Sequence, residues 1–417
     1  MAPSPSLALP NRSDGKHSAV LQKVRNQREQ ARFGVLPRAL TGFVAAPLLT
    51  LTAVLLAAPG CERASGPERR KAAAPASAVV TTASKADPAA VPPAERVKVD
   101  VQEQAMGTKL HFIAYSSDTL DEADTRAAIA GAVQEIRRLE AMLSEWQHDS
   151  EVGRINQRPG EWLEVGPETF EVLEHAVRAG KLSDGAFDIT FQTLSSLWKF
   201  GSAQESAPRA PSRAEVEKLR PHVDYRKIEL DSAGRRVRIG SQQQIGLGGI
   251  AKGYILDRSV AKLRAAGVHD FLARAGGDLY GSGKKPDGSP WVSGVQDPRA
   301  PQGEFFASIE LEDRAFSTAG DYARSFVAGG KRYHHILDPK TGFPATACRS
   351  VTIWAEDALT ADVIDDAVFV LGPERGLPLV EATPGAGALI VDAENRVHVS
   401  ERLKGRVKVL RAPTDGI

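Results

Sequence analysis

Three short stretches of this 417-residue sequence hold residue types that do chemistry. The first is IGLGGIAKGYILDRSV, residues 245–260, where Gly246, Gly248 and Gly249 precede Lys252. Glycines between a strand and a helix let backbone amides approach an anion, and the helix start and Lys252 add positive charge. The spacing matches neither G-x-G-x-x-G nor the Walker pattern ending in GK[ST]. Two readings stand: a phosphate or pyrophosphate cradle, or a tight turn with close helix packing. The second stretch is ALTADVIDDAVFVLG, residues 358–372. Asp362, Asp365 and Asp366 crowd one shoulder of a helix, where like charges destabilise unless a cation neutralises them. Carboxylate oxygens are hard ligands suited to Mg²⁺, which shares its sites with substrate phosphates. A solvated acidic face is the alternative. The third stretch is YHHILDPKTGFPA, residues 333–345. On a strand, His334 and His335 point to opposite faces. An imidazole near its ordinary pKa of about 6.5 is mostly neutral at pH 7 and could act as a general base; a structural hydrogen bond is the other reading. No Ser–His–Asp order or H-E-x-x-H pattern is present, so hydrolases of those types are not supported.

The elements that position these residues follow from periodicity. Residues 97–115 alternate in places and predict one or two strands joined through AMGT. Residues 117–146 carry Ile129, Val133, Ile136, Leu139 and Leu143 on one helical stripe. Helices are also expected over 166–179, stopped by Gly180, over 253–266, stopped by Gly267, and over 357–371, ended by Gly372 and Pro373. Residues 228–239 predict a hairpin, and GALIVDAENRVHVS another. Strand-like pieces run through DFLARAGGDLYGSG, PWVSGVQ, EFFASIEL, AFSTAG and YHHILDP. Strands gather together rather than alternate with helices, which favours α+β over a doubly wound sheet.

Composition removes other classes. Lys plus Arg number 53 against 52 Asp plus Glu, so no basic excess points to nucleic acid. Two cysteines, Cys61 and Cys348, can build neither a disulfide scaffold nor, alone, a zinc or iron–sulfur centre. Residues 1–61 read as an export segment: a basic lead, an apolar run over 43–58 that is short for a spanning helix, then AAPGC. Small residues before Cys61 resemble a bacterial lipobox, in which that cysteine is lipidated; a plain cleaved signal or a retained anchor is the other reading. Residues 62–96 are rich in Ala, Pro and Ser and predict a disordered tether. The folded domain is expected over 97–412, held at the periplasmic face of a bacterial membrane.

Eight strings in chain order carry a resemblance: AMGT (105–108), LSEWQHDSEVGRIN (143–156), GAFDIT (185–190), LGGIAKGYILD (247–257), ARAGGDLYGSG (273–283), FSTAGDY (316–322), HHILDPKTGFPA (334–345) and ADVIDDAVFVLG (361–372). Together they resemble the ApbE family, the FAD:protein FMN transferases. The resemblance implies a single α+β domain, export with a lipid anchor, FAD as donor, and Mg²⁺. FMN would pass through a phosphoester bond to a Thr or Ser hydroxyl of an acceptor protein, a flavin-carrying subunit of a membrane redox complex, with release of AMP. FAD hydrolysis to FMN and AMP, or flavin binding without turnover, are the rival activities. By position, Met106 and Trp146 would border the ring systems, Ala186, Phe187 and Asp188 would line the nucleotide, and Lys252 would meet its phosphates or ribose. The carbonyl of Gly249 with Asp362 and Asp366 would hold Mg²⁺, with Asp365 close by. His335 matches the histidine tied to transfer, and Ile336 sits by the ligand. Two departures stand out. Asp366 replaces the family's usual Thr, and Ile245-Gly246 stands where an Asp usually precedes LGG, so Gly246 would leave an adenosine contact unmade.

Overall fold

The computed structural model describes residues 96–200 and 209–416. The expected export segment 1–61 lies outside the described residues, as does the tether 62–96 apart from Arg96. Among the described residues no helix is long and apolar enough to cross a membrane.

The strands are β1 (Lys98–Ala105), β2 (Thr108–Tyr115), β3 (Leu163–Glu164), β4 (Glu229–Asp231), β5 (Arg236–Arg238), β6 (Phe271–Ala275), β7 (Asp278–Ser282) and β8 (Trp291–Gln296). They continue with β9 (Phe305–Leu311), β10 (Arg314–Gly320), β11 (Ser325–Ala328), β12 (Lys331–His334), β13 (Cys348–Ala355), β14 (Gly387–Asp392), β15 (Val397–Val399) and β16 (Val407–Val409). The helices are α1 (Glu122–Leu143), α2 (Glu151–Gln157), α3 (Pro167–Leu182), α4 (Arg213–Leu219), α5 (Ala251–Ala265) and α6 (Ala358–Ala382).

One antiparallel sheet of eight strands, in the order β1-β2-β6-β7-β10-β13-β14-β15, divides the domain into layers. Its two faces follow from side-chain alternation. In β13, Val351, Ile353 and Ala355 join the core under the helices, while Trp354 joins a second core on the other side. In β14, Ala388 and Ile390 face the helices, and Leu389 and Val391 face away. The helix face packs against Ile129, Val133 and Ile136 of α1, Ile255 and Val260 of α5, and Val368 and Phe369 of α6. The opposite face is covered by the sheet β16-β9-β8 through Phe306, Ile309, Leu311 and Trp291. The fold is therefore α+β, as the clustering of strands predicted.

Helices α5 and α6 cross where Gly253 meets the carbonyl of Ala358, so closely that a Cβ at residue 253 has no room. Each helix also closes the other's N-terminus. Asp257 of α5 accepts from the N–H groups of Ala358 and Leu359, both at 2.8 Å, and Asp362 of α6 accepts from Gly253 N–H at 3.0 Å. Helix starts leave such donors unpaired, and a carboxylate also answers the positive end of the dipole.

Most expected elements are present, with three differences. Gly180 does not stop α3: it lies inside the helix, where the ring of Tyr225 fills the space a side chain would need. The chain turns instead at Asp184 and Gly185, both at positive φ. The break expected at Gly372 is real, at φ 75°, yet a second helical leg continues to Ala382. YHHILDP is not one strand, since β12 ends at His334 and Leu337 then bridges to Pro344.

The crossing predicts that Gly253→Ala separates α5 from α6. Overpacking of this kind costs about 1–3 kcal/mol, so thermal unfolding should shift clearly downward; an unchanged midpoint would contradict the close contact.

Candidate functional site

Alternation on the central strands places two polar side chains under the helices. Asp278 begins β7 and shares its helix-facing side with Tyr280, and Ser317 lies between Ala315 and Ala319 on the helix-facing side of β10. Above them, Asp362 and Asp365 descend from α6, and Lys252 comes from the first turn of α5. The Lys252 ammonium donates to Asp278 at 2.8 Å and to Asp362 at 2.7 Å. Ser317 Oγ lies 2.5 Å from Asp278 and 2.6 Å from Asp365. One hydroxyl proton serves only one of two carboxylates, so the second short contact needs a proton on an acid.

The charges do not cancel. Asp278, Asp362 and Asp365 are buried, and Asp366 lies beside them, against a single lysine. Burial pushes Asp362 up to about 6 despite Lys252, and burial with the charge of Asp362 pushes Asp366 up to about 7. Asp365 is raised well above the usual carboxylate range by burial and by Asp366 and Asp362. Burial works against the Lys252 ammonium, but Asp278 and Asp362 outweigh it and hold its pKa well above the ordinary lysine value. Oxygen atoms of Asp278, Asp362 and Asp365 converge within 4.8 Å. The surplus of hard, anionic oxygens fits a divalent cation such as Mg²⁺. Of the four acids, Asp366 has no hydrogen-bond partner among the described residues, and its Oδ2 stands directly against Gly249. Asp278 and Asp362 brace Lys252, Asp365 meets Ser317, and Asp366 stands at the Gly249 side of the cluster.

The glycine segment is held by side chains on both flanks. Asn156 pairs with the backbone of Ile245 twice, donating at 2.8 Å and accepting at 2.7 Å, and Thr193 accepts from Gln244 N–H at 3.0 Å. Helix α5 has no side chain of its own capping its start. Gly246 abuts Gln192, whose Oε1 would lie 2.8 Å from a Cβ there. Gln192 therefore occupies the room that an aspartate would need. The ring of Phe187 reaches within 3.3 Å of the Cβ position of Gly249, on the side where Asp366 also stands.

The two histidines part company. His334 is buried, its Nε2 2.8 Å from the carbonyl of Ala345 and its ring edge-on to Phe369. His335 lies past the end of β12, where its N–H donates to the carbonyl of Arg324 at 3.1 Å. Its pKa does not stay near 6.5: burial, with the charges of Arg324 and Lys252, pushes it down to about 3. The imidazole is therefore neutral at pH 7, with Nδ1 enclosed and unpartnered.

The other expected residues have surroundings of their own. Met106 adopts positive φ in the β1–β2 turn, and Thr108 beside it packs against Gly276 of the β6–β7 turn, two residues before Asp278. Trp146 is exposed in the α1–α2 connection, next to Glu145, whose carboxylate is raised by burial and reached by Leu247 N–H. Ile336 is buried and its carbonyl accepts from Ala345 N–H at 3.0 Å. Ala186 is buried in the wall. Both oxygens of Asp188 accept from the protein itself, from Thr190 N–H and hydroxyl and from Tyr225 N–H, so it shapes the 186–190 loop. Asp278, Ser317 and Asp257 lay within recognised strings without being singled out. The Gly-Gly-Asp sequence at 276–278 between two strand-like runs was the available signal for Asp278.

Residues 106–390 match the ApbE family. An FAD:protein FMN transferase of Treponema pallidum is 30% identical over 326 residues, covering 74% of this chain and 89% of the relative. One of Haemophilus influenzae is 29% identical over 307 residues, covering 71% and 87%. Among solved structures, the ApbE protein of Thermotoga maritima is similar at a TM-score of 0.68 and 36% identity, over 74% of this chain and 99% of that one. The flavin transferase ApbE of Vibrio cholerae gives 0.65 and 27%, over 74% and 99%.

The carboxylate cluster sets a pH-dependent prediction. Asp362 and Asp366 keep protons in the folded state that they lose near 3.8 when unfolded. Between pH 4 and 7 the folded state binds more protons, so this site lowers the stability of the metal-free protein as pH rises. A cation that takes the place of those protons reverses the loss. Mg²⁺ should therefore raise the thermal midpoint more at pH 8 than at pH 5, and Asp362→Ala should abolish the gain. An equal gain at both pH values, or one retained in Asp362→Ala, would contradict this site.

Proposed function

The chain belongs to the ApbE family; it is an FAD:protein FMN transferase, and we propose that the α5–α6 crossing performs the transfer. The reading rests on the convergence of a glycine-led helix start, Lys252 and surplus hard oxygens, with His335 close enough for the Lys252 charge to act on it. The glycine segment and the start of α5 receive the FAD pyrophosphate, with Lys252 near its oxygens. Gly249, Asp362 and Asp366 would hold Mg²⁺, which would neutralise pyrophosphate charge and ease departure of AMP. Met106, Trp146, Phe187 and Ile336 form the apolar surroundings of the ring systems.

The acceptor's Thr or Ser hydroxyl attacks the phosphorus on the riboflavin side. The new O–P bond forms as the bond to the AMP oxygen breaks, and the hydroxyl proton passes to His335. With Nδ1 enclosed, Nε2 is the nitrogen left to take that proton. A neutral imidazole has its lone pair free, and the negative charge of bound pyrophosphate offsets the cations that depress its basicity. Holding the hydroxyl close supplies much of the rate. The same reading includes export and a lipid tether at Cys61, supported by the sequence of residues 1–61, and an acceptor on a membrane redox complex.

Incubation with FAD, Mg²⁺ and an acceptor bearing a Thr motif should yield covalent flavin on the acceptor. Free FMN as the main product would favour hydrolysis. His335→Ala should lower transfer by about 10²–10⁴-fold, the range for general-base catalysis, with FAD binding changed much less. His334→Ala should lower stability while sparing the rate of the folded fraction, since that ring serves the core. Equal rate losses in both variants would contradict the assignment. Cys61→Ala should free the protein from the membrane fraction, and retained membrane association without lipid labelling would contradict the tether.

A further inference from the structure

In the β11–β12 ribbon, Ser325 pairs with His334, and the pair beyond is Arg324 with His335, joined by the hydrogen bond from His335 N–H to the Arg324 carbonyl. Residues directly opposite in an antiparallel ribbon put their side chains on the same face, with Cβ atoms about 4.5–5.5 Å apart. Arg324 therefore stands beside the imidazole, while Ser325 and His334 turn to the other face. It is exposed, and no carboxylate among the described residues forms an ion pair with its guanidinium. The other cation acting on His335, Lys252, is already held by Asp278 and Asp362. Arg324 is thus the uncommitted cation of this pair, placed where the acceptor's proton would arrive.

We propose that Arg324 is a further substrate-binding residue of the transfer, its guanidinium donating to the non-bridging oxygens of the phosphorus under attack. This rests on the reading of the site as an FMN transferase. As the hydroxyl oxygen bonds to phosphorus and the bond to AMP breaks, negative charge spreads over those oxygens. A planar fork of N–H donors matches them in a way an ammonium does not. The charge of the guanidinium also discourages a proton on His335 until the anionic substrate arrives, which ties the proton transfer to a filled site.

The test uses the full chain with FAD, Mg²⁺ and the acceptor, beginning with wild type. Arg324→Ala should lower kcat by about 10²-fold, the scale for removing a donor to developing charge, while FAD binding by flavin fluorescence changes much less. Arg324→Lys should recover part of the loss, and guanidinium ion at millimolar concentration should restore part of the Arg324→Ala rate. A merely structural arginine would not be rescued in this way. If wild type transfers FMN and Arg324→Ala keeps its kcat, the inference is wrong. If the loss appears only as a higher KM for the acceptor, Arg324 meets an acidic group of the acceptor, and the inference is again overturned. Absence of transfer by wild type would overturn the underlying functional reading, and is separately visible.

Discussion

The N-termini of α5 and α6 are each closed by a carboxylate from the other helix, Asp362 against Gly253 N–H and Asp257 against Ala358 and Leu359. This exchange fixes the angle and depth at which the helices cross, and Gly253 makes the approach possible. Because Asp362 also holds Lys252, the structural contact and the chemical centre share one residue. The sheet beneath contributes Asp278 and Ser317 from neighbouring strands, so helix pair and sheet are locked together at the point where the reactive groups meet.

That arrangement is costly without a cation. Burying several carboxylates around one ammonium leaves charge that the folded protein relieves by retaining protons. The same imbalance readies the site for a divalent ion. Asp366 increases it, adding a further carboxyl group beside Asp362. In the glycine segment Gly246 packs against Gln192, whose Oε1 stands where a side chain at residue 246 would go.

Much of the fold could be read because its faces differ in polarity. The stripe on α1, the hairpin at 228–239 and the glycine stop after α5 are all present. Strand β13 was missed because CRSVTIWA is covered on both faces and shows no useful alternation. Helix α2 has only seven residues, too few for a period to register. At the site, Lys252 and the three aspartates of α6 were legible from spacing and family strings. Asp278 and Ser317 were not, because their role arises from strands adjacent only in the folded sheet. The depressed pKa of His335 was equally invisible, since it depends on burial and on Arg324 just before β11.

We propose that the crossing of α5 and α6 holds a divalent cation at Gly249, Asp362 and Asp366, with Lys252 beside it. Anomalous scattering from Mn²⁺, used in place of Mg²⁺ in crystals of the protein, tests this most directly. One ion should appear, bounded by the Gly249 carbonyl and the carboxylates of Asp362 and Asp366, with Lys252 still bridging Asp278 and Asp362. An ion seated between Asp278 and Asp365 with Lys252 displaced, or no ion at the crossing, would contradict it.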